Sequence, residues 1–271
     1  MPGYLPDTRV RPPAVAGLFY PQDPVRLQSE VLELLGGVAP ASKVIPKALI
    51  APHAGYVYSG RVAAAAFAKL RASAQTVTRV VLIGPAHYVH LGGIAAPRVE
   101  AFETPLGRVR VDTDTCGQIG RFEFITRTDA PHEPEHALEV ELPFLQILLS
   151  SFQLVPLVVG DAAPREVAQL LRQLWHGPET LIVVSSDLSH YHSYETAQRL
   201  DLSTAEAIEQ GEWASLSSSR ACGWIAVAGL LMEARRRGLG GYRLALCNSG
   251  DTAGSRDSVV GYWAWMFGEA A

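Results

Sequence analysis

Cysteine is scarce in this sequence, and its placement is uninformative as a motif. The three cysteines, Cys116, Cys222 and Cys247, are far apart and form no CxxC pair. This argues against a disulfide framework and favours a reducing compartment, so we expect a cytoplasmic protein. We expect Cys116 and Cys222 to be packing residues.

Long apolar runs and a strong positive charge are also missing. The most apolar stretches are broken by Gly, Pro or charge well short of the ~20 residues of a membrane span. The first fifteen residues lack the apolar core of a signal peptide. The formal net charge is -4, without the broad basic surface of a nucleic-acid-binding protein. We therefore expect neither a membrane nor a nucleic acid as a partner.

Several common catalytic motifs are absent as well. The sequence has no GxxxxGK[ST] and no GxGxxG between a strand and a helix, so nucleotide binding has no support. It also lacks the GxSxG of serine hydrolases and the HExxH of zinc proteases. Function has to be sought in other patterns.

What the sequence does contain is enough apolar residue for a large core, with 48% hydrophobic and 18% charged residues. Short apolar runs alternate with helical patterns along the whole chain. This predicts one α/β domain over residues 1–271, with a central mixed, largely parallel β-sheet flanked by helices. Helices are expected at 24–35, 164–175 and 134–149, the last kinked at Pro143.

Reactive side chains follow four of the apolar runs. Parallel strands would bring such residues to one edge of the sheet, where ligands bind in open α/β folds. A single histidine after a strand is usually structural, but several at equivalent positions favour a site. The residues are His53 in LIAPH, His87 in LIGPAH, Asp187 and His190 in IVVSSDLSH, and Cys247 and Asp251 in LALCNSGD.

Two imidazoles and one carboxylate would make a metal site with open positions for substrate. His53, His87 and Asp251 fit that pattern, which suits non-haem Fe(II) and also accommodates Zn, Mn or Co. Cys247 is the alternative third ligand, and its thiolate would favour copper or zinc. We prefer Asp251, because it lies in a glycine-flanked loop, whereas Cys247 belongs to an apolar strand.

Acid–base chemistry has its own candidates. His190 would be the general acid/base, oriented by the Asp187 carboxylate, although Asp187 could equally cap a turn. His136 and Glu139 share a face of the predicted helix and could line the pocket. An acidic first turn that complements the helix dipole explains Glu139 as well.

Six segments together resemble the Memo family, whose bacterial and archaeal members are called AmmeMemoRadiSam system protein B. They follow the family's order along nearly the whole chain. They are RPPAVAGLFYP (11–21), PHAGYVYSG (52–60), GPAHYVHLGG (84–93), EHALEVELPFLQ (135–146), SSDLSHYH (185–192) and NSGDTAGSRDSVVGY (248–262).

The resemblance implies a fold similar to class III extradiol ring-cleaving dioxygenases, which hold iron with two histidines and one carboxylate. It implies that His53 and His87 are ligands and that His190 matches the acid/base histidine. Animal members carry a cysteine near the last segment. Matching the flanking serines aligns that cysteine with Asp251, and a four-residue shift aligns it with Cys247.

The resemblance also suggests pocket walls, partners and activities. Phe19 and Tyr58 match an aromatic pair of the family's pocket. AMMECR-like and radical-SAM proteins are implied partners. We expect a metal-dependent, dioxygenase-like oxidoreductase acting on a small substrate, with Fe(II) favoured over Cu or Zn. The alternatives are a non-catalytic metal- or peptide-binding scaffold or chaperone, or the remnant of an ancestral active site.

Overall fold

The computed structural model describes residues 9–38 and 45–269, in which strands and helices alternate as predicted. The strands are β1 (Val10–Arg11), β2 (Ala48–Ala51), β3 (Arg79–Pro85), β4 (Ile94–Ala96), β5 (Ala101–Thr104), β6 (Gly107–Arg110), β7 (Ile125–Arg127), β8 (Gln153–Val159), β9 (Thr180–Ser185), β10 (His190–His192), β11 (Gly240–Asn248) and β12 (Val259–Gly268). The helices are α1 (Pro24–Gly36), α2 (Tyr56–Phe67), α3 (Thr113–Ile119), α4 (Leu142–Leu148), α5 (Pro164–Leu174), α6 (Tyr194–Glu209) and α7 (Trp224–Arg236).

The main sheet is mixed, with a parallel centre. Its order is β10–β12–β2–β9–β3–β8–β4–β7, and β11 also pairs with β12. The central strands β2, β9, β3 and β8 are parallel, whereas β12 and β4 run antiparallel to β2 and β8. The central strands are almost wholly apolar, because both faces of a parallel sheet are covered. The predicted α/β class with a mixed, largely parallel sheet is confirmed.

Helix α1 shows how local sequence sets an element. The Asp23 side chain accepts a hydrogen bond of 2.8 Å from the backbone N–H of Arg26 and caps the first turn. Leu27, Val31 and Leu35 then repeat at a spacing of four residues and are buried. Within residues 9–38 and 45–269, each helix is too short or too polar to cross a membrane.

The segment predicted as one long helix over 134–149 differs in the structure. A 3-10 turn at Glu139–Glu141 leads into the short helix Leu142–Leu148. Pro143 lies in the first turn of that helix, where a missing N–H costs nothing, rather than kinking its middle. Residues 135–138 are therefore neither helix nor strand.

An N-terminal arm, residues 9–23, is held against this segment. Its strand β1 joins β5 and β6 in a small second sheet. The buried carboxylate of Glu139 forms an ion pair with Arg11 and accepts hydrogen bonds from the backbone N–H groups of Ala14 (2.7 Å) and Val15 (3.0 Å). It also accepts one of 2.5 Å from the Tyr20 hydroxyl. The structure thus engages Glu139, considered above as a pocket residue, in anchoring the arm.

Candidate metal centre

His53 and His87 follow neighbouring strands and lie at the same edge of the sheet. His53 comes two residues after the end of β2, and His87 two residues after the end of β3. Both strands pair in parallel with β9, which lies between them. Since carboxyl ends of parallel strands meet at one edge, the two rings are close. Their centroids are 5.1 Å apart in an edge-on arrangement.

A third histidine, His136, completes the group from the irregular segment after residue 134. Its ring stacks on that of His87 with centroids 4.7 Å apart, and lies 5.3 Å from that of His53. One ring nitrogen from each of the three histidines lies within 4.8 Å of the other two. The sequence indicated His136 only as a residue that could line the pocket, from the helical face that it was predicted to share with Glu139.

Glu135 orients the His87 ring. Its carboxylate lies 2.8 Å from Nδ1 of His87 and accepts hydrogen bonds from the backbone N–H groups of His87 (2.7 Å) and Ala137 (3.0 Å). Burial alone would raise the pKa of Glu135, but these hydrogen bonds hold it below the ordinary value. An ionised acceptor at Nδ1 fixes the proton there and leaves Nε2 free, as in carboxylate–histidine–metal arrangements.

The His53 and His136 imidazoles are held in the neutral form that binds metals. Burial, reinforced by repulsion from His87, His136 and His190, keeps the pKa of His53 well below its ordinary value. Burial likewise lowers the pKa of His136 to about 4. Nδ1 of His136 is buried and lies 3.3 Å from Oε1 of Glu135, but it makes no hydrogen bond with any described residue. Neutral, convergent imidazoles fit a divalent transition metal.

His53 is the most deeply buried of the three, and polar groups surround its ring. Nδ1 lies 2.7 Å from the Ser185 hydroxyl, at the end of β9, and Nε2 lies 3.4 Å from Sγ of Cys222. The backbone N–H of Asp187 donates to that sulfur at 3.2 Å. Sequence reasoning treated Cys222 as packing. Cys222 lies just before α7 and is 169 residues from His53 along the chain, so no local sequence pattern indicates their contact.

Asp187 and His190 lie close to the group but are not paired in the way we expected. The Asp187 carboxylate accepts hydrogen bonds from the backbone N–H groups of His53, at 2.9 Å, and Ala54. Burial raises the pKa of Asp187 to about 7. Nδ1 of His190 lies 2.8 Å from the carbonyl oxygen of Leu188, so it donates there and leaves Nε2 open. A backbone carbonyl, rather than Asp187, therefore orients His190.

Asp251 lies at the same edge of the sheet but outside the histidine group. Its carboxylate accepts hydrogen bonds from the Tyr194 hydroxyl (2.5 Å) and from the backbone N–H of Asn248 (2.9 Å). Strand β11, which precedes it, is separated from β2 by β12, so its end is offset from β2 by two strand spacings, about 10 Å. Half-buried Cys247 belongs to that strand, pairs with Tyr262 and has a pKa raised to about 11 by burial.

Aromatic side chains flank the histidines. The Phe19 ring lies 4.9 Å from the His136 ring. The ring of the exposed Tyr88 lies 5.6 Å from the same His136 ring. Tyr58 is 38% exposed and lines a groove of about 1020 Å³, to which Asp251 but none of the three histidines contributes. The structure thus brings Phe19 to the group and Tyr58 to the groove that Asp251 lines. Tyr88, in the HYVH segment after His87, was not anticipated.

Comparison with known proteins connects this chain to one family. The family model described as Memo-like protein matches residues 11–266. A MEMO1 family protein of Aquifex aeolicus is 34% identical over 270 residues, which cover 96% of this chain and 99% of that protein. One of Saccharolobus solfataricus is 35% identical over 287 residues, covering 95% of this chain and 99% of its own. The chain therefore belongs to the Memo family.

Proposed function

We propose that this protein binds a divalent transition-metal ion through His53, His87 and His136 and uses it as an oxidoreductase acting on a small molecule. The observation that carries the proposal is the convergence of one ring nitrogen from each histidine to within 4.8 Å of the others. Imidazole donors suit zinc, copper and iron, so this set does not single out the Fe(II) expected with an Asp251 carboxylate. We propose iron or copper rather than zinc, because zinc cannot exchange electrons with a substrate.

The surroundings of the histidines support a metal site over a chance cluster. Glu135 holds the proton of His87 on Nδ1, and burial keeps His53 and His136 neutral. Such outer partners typically account for 10–100-fold of metal affinity. A bound ion of this class would polarise a coordinated oxygen atom and, if iron or copper, would exchange electrons with the substrate.

The open Nε2 of His190, close to the three histidines, favours catalysis over metal storage. Burial lowers its pKa, and its Nδ1 is engaged by the Leu188 carbonyl. Nε2 is thus unprotonated and available to take a proton from a substrate hydroxyl. The rings of Phe19 and Tyr88 both lie near the His136 ring and would offer apolar contacts, which suits a phenolic substrate.

Metal analysis of anaerobically purified protein tests the ligand set. We expect close to one equivalent of metal in the wild type and in Asp251→Ala and Cys247→Ser, and a loss of most of it in His53→Ala, His87→Ala and His136→Ala. Exposed His90 provides the matched control, since His90→Ala should retain the metal. Loss of metal in Asp251→Ala with retention in His136→Ala would replace this ligand set with the dioxygenase-like triad.

Oxygen uptake with a panel of catechols tests the reaction. We expect His190→Gln to keep its metal but to lose at least 100-fold in turnover, the usual scale of general acid–base catalysis. His192→Gln, two residues away on the same strand, is the control. A metal-loaded wild type that consumes no oxygen with any catechol would refute the dioxygenase-like reaction and leave a metal-binding protein.

A further inference from the structure

The Ser185 hydroxyl contacts three polar groups at once. Its Oγ lies 2.6 Å from the carbonyl oxygen of Ala137, 2.7 Å from Nδ1 of His53 and 3.0 Å from Oε1 of Glu141. All four residues are buried at the edge of the sheet. A hydroxyl has one hydrogen to donate and two lone pairs with which to accept. The identity of the three neighbours therefore constrains where every proton in the cluster lies.

Only one arrangement makes all three contacts hydrogen bonds. The Ala137 carbonyl oxygen can only accept, so the single Ser185 hydrogen points to it. Oγ of Ser185 must then accept from both remaining neighbours. His53 must carry its proton on Nδ1, and the Glu141 carboxyl must carry one on Oε1. An ionised Glu141 would leave two acceptors competing for one hydrogen.

We propose that Glu141 is a positioning residue held as a neutral carboxylic acid, which donates to Ser185 and thereby fixes His53 as the Nδ1–H tautomer. The resulting chain runs from Glu141 to Ser185 to the Ala137 carbonyl, with His53 donating into it. Nε2 of His53 is left with an unprotonated lone pair on the other side of the ring.

The environment of Glu141 agrees with a neutral acid. Its side chain is fully buried, and its second oxygen, Oε2, has no hydrogen-bond partner in residues 9–38 and 45–269. Burial, together with repulsion from Asp187, raises the pKa of Glu141 well above its ordinary value and outweighs the lowering that a hydrogen bond donated by Ser185 would cause. An unpaired carboxylate in such a place would cost far more than a neutral acid with one unpaired carbonyl.

The opposite side of the His53 ring is compatible with the same tautomer. Sγ of Cys222 lies 3.4 Å from Nε2 and accepts a hydrogen bond from the backbone N–H of Asp187. The one Cys222 hydrogen has two acceptors within reach, Nε2 of His53 and the Asp187 carbonyl oxygen at 3.7 Å, and donation to Nε2 requires that nitrogen to be unprotonated.

The consequence for metal binding, but not the tautomer itself, rests on the proposed function. Glu135 fixes His87 on one side, and the Glu141–Ser185 pair fixes His53 on the other, so both rings keep Nε2 unprotonated. Both acids come from residues 135–141, the segment that also bears His136. That one segment would fix the tautomers of two ligands and supply the third before any ion arrives.

Spectroscopy of the metal-free protein tests the inference without reference to metal. Nitrogen NMR of the histidine rings, with His53 assigned by a His53→Gln variant, should show the Nδ1–H tautomer in the wild type at pH 7. Infrared difference spectra of wild type against Glu141→Gln should show loss of a protonated-carboxyl band. An Nε2–H tautomer at His53, or no carboxyl band lost at pH 7, would overturn the proposal.

Variants then separate the role of the proton donor from that of packing. Glu141→Gln retains an N–H donor towards Ser185 and should keep metal affinity within about 3-fold of the wild type. Glu141→Leu fills the same space without a donor and should weaken binding about 10-fold, as should Ser185→Ala, both with a raised fraction of Nε2–H His53. Equal affinities and tautomer fractions in Glu141→Gln and Glu141→Leu would contradict a positioning role. Failure of the wild type to bind metal would refute the proposed function and leave the tautomer result standing.

Discussion

Glu139 and Glu141 lie two residues apart in one 3-10 turn, and both side chains are fully buried. Their surroundings nevertheless have little in common. Glu139 faces the N-terminal arm, where a guanidinium, two backbone N–H groups and a phenol hydroxyl all donate to it. Glu141 faces the histidine group, where its one hydrogen-bond contact with a described residue is to the Ser185 hydroxyl.

The difference teaches that donors, rather than depth, decide the state of a buried acid. Taking a carboxylate out of water costs several kcal/mol, and only charge and directed hydrogen bonds offset that cost. Glu139 has both, and it serves as a charged anchor for the arm. Glu141 has no charged partner among the described residues, and the hydroxyl beside it directs its hydrogen to the Ala137 carbonyl, so Glu141 serves as a neutral donor. The same residue type thus does two different tasks within one turn.

The largest expected effect comes from neutralising the anchor. Glu139→Gln leaves the buried Arg11 guanidinium without its counter-ion, and we expect a loss of about 3–5 kcal/mol in the free energy of unfolding. Urea denaturation at pH 7 measures it. The control is Glu100→Gln at the exposed pair with Arg9, where we expect less than about 1 kcal/mol. Similar small losses at both sites would show that Glu139 is not a charged anchor.

A smaller effect tests the charge of Glu139 through its donors. Tyr20 donates to Glu139 at 2.5 Å, whereas Tyr56, equally buried, donates to the Val140 carbonyl at 2.8 Å. Bonds to ionised groups contribute about 1.5–3 kcal/mol and neutral ones about 0.5–1.5 kcal/mol. Tyr20→Phe should therefore lower the free energy of unfolding more than Tyr56→Phe. Equal losses would argue that Glu139 is neutral too.

The sheet and most helices could be read from the sequence, because each rests on a local pattern. Apolar runs such as KALIA and RVVLI predict buried strands, and α1 has a helical apolar spacing. The prediction of one helix over 134–149 was wrong, because the apolar pattern continues across Pro143 whereas a separate helix begins there. Proline is favoured in a first turn, and that preference indicates the break.

The site was less predictable, since it depends on where strands lie rather than on which residues follow them. The convergence of His53 and His87 follows from their sharing β9 as a neighbour. The offset of Asp251 follows from β12 lying between β11 and β2, an order that no local pattern specifies. Cys222 reaches His53 only through the tertiary fold.

The smallest expected effect is that of Glu141→Gln on stability at pH 5. If the acid is already neutral, the amide replaces it with only one additional unpaired N–H. The free energy of unfolding should then fall by about 1 kcal/mol. The comparison with Glu139→Gln is then direct. The same substitution two residues away should cost several times more.

Raising the pH should change the sign of that small difference. The pKa of Glu141 is raised in the folded state, so the contribution of Glu141 to stability is fully present below about 4.5, the ordinary value, and is lost as pH rises towards the folded pKa. Glu141→Gln has no such group and escapes the loss. Relative to the wild type, the variant should gain up to about 1.4 kcal/mol in the free energy of unfolding for each pH unit above about 4.5.

Urea denaturation of both proteins between pH 5 and 8 measures the slope. Parallel stability curves would mean that Glu141 ionises alike in the folded and unfolded chains, and the contrast with Glu139 would disappear.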